Sequence, residues 1–109
     1  MKDLSLSSVA QMMQAKFSGP DARYQAICTD TRHLKPGDLF VALEGQHVDG
    51  HDYINIAEKR GAAGLVVSRP SASTIATLLV PNTLEALALF AKAMRARFPI
   101  PMVAITGSS

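Results

Sequence analysis

Apolar positions recur along the chain in short blocks, separated by polar stretches that carry glycine and proline. Val9, Met12 and Met13 repeat at helical spacing, and Ser8-x-x-Gln11 has the form of a capping box, which predicts a short helix from about Ser7 to Ala15. Gly19-Pro20 breaks the chain after it. Tyr24 to Cys28 reads as a strand. Asp38 to Leu43, DLFVAL, reads as a stronger one, apolar and bounded by turn residues. A helix over His51 to Arg60 places Tyr53, Ile54 and Ala57 inward and ends on Gly61 as its C-cap. AGLVVS, and TLLV at Thr77 to Val80, are two further strands, with a loop from Pro70 to Ser73 between them. After Pro81 the capping-box spacing returns as Asn82-x-x-Glu85. An alanine- and leucine-rich helix then runs from Leu84 to Arg97, with Leu84, Leu87, Ala88, Ala91 and Met94 on one face. Pro99 and Pro101 end it, and MVAITG forms a last strand.

Strands alternating with helices predict an α/β fold, a small mixed β-sheet domain with flanking helices. One helix and one strand cannot bury both their faces alone, so the tail beyond Pro81 is expected to open a second domain whose remainder is absent. The chain has 109 residues, of which 48% are hydrophobic and 18% charged, ordinary for a globular protein and unlike a disordered one. A net charge of +2 is too small to imply nucleic-acid binding. The basic clusters Lys59-Arg60 and Arg95-x-Arg97 fall at helix ends, where they face the negative end of the helix dipole. The single cysteine, Cys28, cannot form an internal disulfide and reads as a small packing residue. No apolar run approaches the ~20 residues of a membrane span, and the N-terminus has no apolar signal core, so a cytoplasmic monomer is expected.

Two polar loops flank the DLFVAL strand. One holds Asp30-Thr31-Arg32, the other Gly45-Gln46-His47-Val48-Asp49-Gly50. Loops at strand ends of open α/β sheets commonly build ligand sites. Thr31, Gln46 and His47 offer hydroxyl, amide and imidazole groups to a base edge or phosphate oxygens, and Arg32 a bidentate fork for an anion. Each has a plainer reading. Asp30 and Arg32 also suit a turn-stabilising pair, and Asp49 and Asp52 suit helix N-terminal carboxylates. His33, His47 and His51 have no nearby cysteine to complete a zinc set, so no metal is expected. The ending Thr106-Gly107-Ser108-Ser109 follows an apolar strand, as a phosphate loop does. The strict pattern, however, would put its first glycine at Ile105.

Taken in order, Asp30-Thr31-Arg32, Pro36-Gly37-Asp38-Leu39-Phe40-Val41-Ala42-Leu43, Asp49-Gly50, Gly61-Ala62, an Asn82-Thr83-led helix and a terminal AITGSS resemble the N-terminal region of a Mur ligase, in particular the MurF type. The resemblance runs from about Ile27 to Ser109. It implies a UDP-substrate-binding domain over residues 1–81 and, over 82–109, the first helix and strand of a central P-loop domain. It also implies the activity, an ATP-dependent ligase that adds D-alanyl-D-alanine to UDP-N-acetylmuramoyl-tripeptide in peptidoglycan synthesis. ATP and Mg2+ serve the parent enzyme, and none is expected on these residues alone. The resemblance assigns Thr31, Gln46, His47 and Val48 to the uridine site, and Asp30 and Arg32 to the shape of the first loop. Gly45, Asp49 and Gly50 fix the second loop, and Asn82 and Thr83 lie towards the substrate phosphates. MurF-type ATP loops read Thr-Gly-Ser-x-Gly-Lys-Thr, so Thr106 to Ser109 match the opening four residues. Ser108 favours this type over MurE, which adds the third amino acid. No residue of the chain is assigned to catalysis. A stand-alone nucleotide-binding or interaction module remains the reading of another class.

Overall fold

A computed structural model describes residues 5–70 and 73–97. The first helix, α1 (Leu6–Met13), is capped by Ser5, whose side chain accepts the Ser8 N–H at 3.2 Å. Ser8, expected as the cap, instead lies inside the helix and is buried. The helix ends where Gln14 turns left-handed, at φ 57°. The chain then runs into β1 (Lys16–Ser18), which the hydropathy pattern did not predict. It is only three residues long, with Phe17 alone partly buried. Pairing with a distant strand therefore decides its existence.

The other strands are β2 (Ile27–Cys28), β3 (Leu39–Val41), β4 (Gly64–Val67) and β5 (Ala76–Leu79). They form one sheet in the order β1-β5-β4-β3-β2. β1 lies antiparallel to β5, with Phe17 opposite Leu78, and the remaining pairs are parallel. The expected mixed sheet is thus present. Its second strand is shorter than the Tyr24 to Cys28 run, because Tyr24 leaves the ladder and packs edge-on against Phe90, with ring centroids 6.5 Å apart.

β4 is buried along its whole length, as a central parallel strand with both faces covered should be. Its alternation sorts the core. Val66, with Leu39, Val41 and Leu78, packs against Leu6, Val9 and Met13 of α1 and against Ala86 of α3 (Thr83–Arg97). Leu65 and Val67, with Phe40 and Ala42, pack against Ile54 and Ala57 of α2 (Ile54–Lys59). Helices thus cover both faces of the sheet.

Two differences from the periodicity matter for the site. Residues Gly50–Tyr53 form a 3-10 turn before α2 begins, and the tighter winding swings Tyr53 outward, leaving it 37% exposed. On α3, Ala86, Leu87 and Phe90 meet the core. Leu84 is 65% exposed, and Ala88 and Ala91 are exposed too, so the inward stripe is rotated from the one expected. The start of α3 is as predicted: Asn82 Oδ1 accepts the Glu85 N–H at 3.0 Å. Gly61 ends α2 with φ +89°, a conformation that side chains with a Cβ adopt at a cost. No helix of the described residues is long and apolar enough to cross a membrane. The predicted strand MVAITG, residues 71 and 72 of the 70–73 loop, and Thr106 to Ser109 lie outside the described residues.

Candidate functional site

β2 and β3 run parallel, so their carboxyl ends open on the same edge of the sheet. The chain leaving β2 forms the first loop. Asp30 caps a 3-10 turn over Thr31–His33, its side chain accepting the Arg32 N–H at 2.9 Å. The same carboxylate takes the Arg32 guanidinium in a fork, through Nε at 3.1 Å and Nη2 at 2.8 Å. Those hydrogen bonds, helped by the backbone one, pull the Asp30 carboxyl down to about 2. The plainer reading of the pair is therefore correct. It does not exclude the other, because the Arg32 side chain is 82% exposed at the rim of a cavity.

That cavity has a volume of about 560 Å³. Thr29, Asp30, Thr31 and Arg32 of the first loop line it, together with Val48, Gly50 and Tyr53 of the second loop and the turn after it. Phe40, only 1% exposed, and Leu43 also line it, from β3 and its end. The cavity is apolar over much of its wall with a few convergent polar groups, the usual character of a small-ligand site. It lies outside the carboxyl ends of parallel strands, where open α/β sheets hold ligands.

The second loop is tightly made. Gly45 N–H donates to Val48 O and Gly50 N–H to Leu43 O, both at 2.7 Å. A Cβ on Gly50 would sit 2.8 Å from Ala42 Cα, and one on Gly45 2.9 Å from Val48 O, so close backbone approach requires both glycines. Gln46 and His47 are exposed at the tip. Asp49 turns away from the cavity. Its Oδ1 accepts the His51 N–H at 2.9 Å and lies 2.7 Å from His51 Nδ1, while Arg69 Nη2 donates to Oδ2 at 2.6 Å. Arg69, then the His51 contacts, hold this carboxyl well below the usual carboxylate range. Glu44, Asp49 and His51 bring donor atoms within 4.8 Å of one another, as a metal site would. The Arg69 guanidinium bonds both carboxylates and offsets one of their two charges, and His51 Nδ1 lies on Asp49 as well, so the cluster reads as an ion-pair network.

Of the residues singled out by sequence, Asp30, Thr31, Arg32, Val48 and Gly50 meet at the cavity. Gly45, Gln46, His47 and Asp49 shape or tip its second loop. Asn82 and Thr83 stand elsewhere. Asn82 caps α3 beside a smaller cavity of about 170 Å³ between α1 and α3, and Thr83 is buried. Thr29, Phe40, Leu43 and Tyr53 were missed. Phe40 and Leu43 read as core in a strand pattern, and Tyr53 was hidden by assuming an α-helix where the chain forms a 3-10 turn.

These features define a class: an α/β domain with helices on both sheet faces and a cavity at the carboxyl ends of adjacent parallel strands. A family model described as "Mur ligase family, catalytic domain" matches residues 23–97, and the chain belongs to the Mur ligase family. It is 39% identical over all its length to the UDP-N-acetylmuramoyl-tripeptide--D-alanyl-D-alanine ligase of Escherichia coli K12, and it spans 24% of that protein. The crystal structure of MurF from Acinetobacter baumannii superposes with a TM-score of 0.79 at 29% identity, over 85% of this chain and 21% of that one. MurF ligase from Thermotoga maritima, solved in complex with ADP, superposes with a TM-score of 0.64 at 28% identity, over 68% of this chain and 17% of that one.

Proposed function

We propose that this chain is the substrate-recognition part of a MurF-type ligase and that its cavity takes the uridine end of UDP-N-acetylmuramoyl-tripeptide. One observation carries the reading: the two polar loops on either side of the DLFVAL stretch close on a single cavity at the ends of β2 and β3. Phe40, Leu43, Val48 and Tyr53 offer apolar surface to a planar base. Thr31 and the loop backbone offer hydrogen bonds to its edge. Arg32 is fixed by Asp30 through Nε and Nη2 and stands at the rim, where an anionic diphosphate would emerge.

On this reading residues 1–81 hold the UDP part, and residues 82–109 open the central ATP-binding domain of a cytoplasmic enzyme. That enzyme joins D-alanyl-D-alanine to the tripeptide carboxylate through an acyl phosphate made with ATP and Mg2+. The described residues are assigned no step of that transfer. The 109 residues contain no Gly-Lys pair, so no ATP-dependent turnover is expected from them alone; turnover in a ligase assay would refute that point. The reading as a whole is tested by titrating the chain with UDP-N-acetylmuramoyl-tripeptide and with UMP while following backbone amide NMR shifts. Shifts concentrated at Thr31, Arg32 and Gln46 to Gly50 are expected with both. A folded sample that shows none, or shows them only around Asn82, overturns the placement.

A further inference from the structure

Val48 and Gly50 line the cavity, and Asp49 between them does not. What holds this loop in place lies on the far side. Arg69 follows β4 and reaches back with both ends of its guanidinium, Nη1 to Glu44 at 2.9 Å and Nη2 to Asp49 at 2.6 Å. Those two carboxylates belong to residues that pair across the base of the loop. His51 makes a second tie. Its side chain is 4% exposed, and its Nε2 accepts the Ser68 N–H at 3.0 Å. With that lone pair engaged, Nδ1 carries the proton and donates it to Asp49. Asp49 is therefore gripped on one oxygen by His51 and on the other by Arg69, and both grips lead to the chain just after β4.

We infer that Arg69 and His51 are positioning residues for the substrate cavity, acting through Asp49 to hold Val48 in its wall. The inference rests on the uridine reading of the cavity for its ligand, and on geometry alone for the clasp. A loop already held in its bound shape need not be ordered when the ligand enters, so loosening it costs affinity without removing any ligand contact.

The test compares wild type with Arg69→Met, Arg69→Lys, Asp49→Asn and the double variant Arg69→Met/Asp49→Asn. Without ligand, amide exchange at Gly45 and Gly50 should rise in Arg69→Met while Leu65 to Val67 keep their protection. Arg69→Lys, a single donor group in place of a fork, should lie between. Unchanged loop exchange in Arg69→Met overturns the clasp, whether or not any ligand binds. With ligand, Arg69→Met should weaken UMP and uridine alike, by about tenfold, and the double variant should be no weaker than the worse single. A loss seen with UMP and not with uridine would make Arg69 a direct phosphate contact and overturn the inference. Wild type that binds neither compound would instead refute the uridine reading and leave the exchange result standing.

Discussion

At the residue scale, two aspartates do most of the shaping, each by accepting the N–H two residues on. Asp30 adds the Arg32 fork and Asp49 adds Arg69 and His51. Both carboxyls titrate lower in the folded chain than the ordinary value of about 4. Their pairing therefore contributes fully above about pH 4 and is lost as acid protonates them, for Asp30 between about 4 and about 2. In a carboxyl NMR titration Asp30 should show a midpoint near 2, moving up towards about 4 in Arg32→Ala. A wild-type midpoint near 4 would mean the fork does not persist in solution. The Asp30-Thr31-Arg32 triplet was legible as a loop motif because its partners are two residues apart. The Asp49 network was only half legible: Asp49 could be read as a helix-start carboxylate, but Arg69 lies 20 residues away and no local pattern links the two.

At the scale of elements, local signals succeeded where the chain closes its own hydrogen bonds. Asn82 caps α3 as its spacing to Glu85 implied, and Gly61 ends α2. Removing the cap with Asn82→Ala should cost about 1 kcal/mol. Thermal unfolding should show the loss, with faster amide exchange in the first turn of α3. No change would mean that packing of Ala86 and Phe90 alone holds the helix start. Periodicity failed where burial is decided by a neighbour. The apolar residues of α3 nearly encircle it, so composition could not choose between the Leu84 stripe and the Ala86, Leu87 and Phe90 stripe that packing uses. For the same reason β1 was invisible: three residues with one part-buried side chain become a strand only because β5 offers an edge.

At the scale of the whole molecule, one central strand serves two cores. Leu65 is fully buried on the α2 side, in the core that also holds Phe40 of the cavity wall. Leu65→Ala should cost about 2–5 kcal/mol, a large part of the 5–15 kcal/mol by which such domains are typically stable. Leu84→Ser, at a largely exposed position, should stay within about 0.5 kcal/mol of wild type. Urea unfolding measures both. A large loss at Leu84 would show that its exposed face packs against another part of the chain.

The sequence by itself determined the α/β class, the cap of α3 at Asn82, the end of α2 at Gly61 and the two loops that carry the polar chemistry. Each of these depends on residues close together along the chain, where spacing translates directly into geometry. Only the tertiary structure decided that the loops share a cavity, that Phe40 and Tyr53 help to line it, and that Arg69 and His51 brace it from behind. Those arrangements depend on which strands pair and on how one turn is wound, and contacts between separate segments of the chain leave no periodic trace.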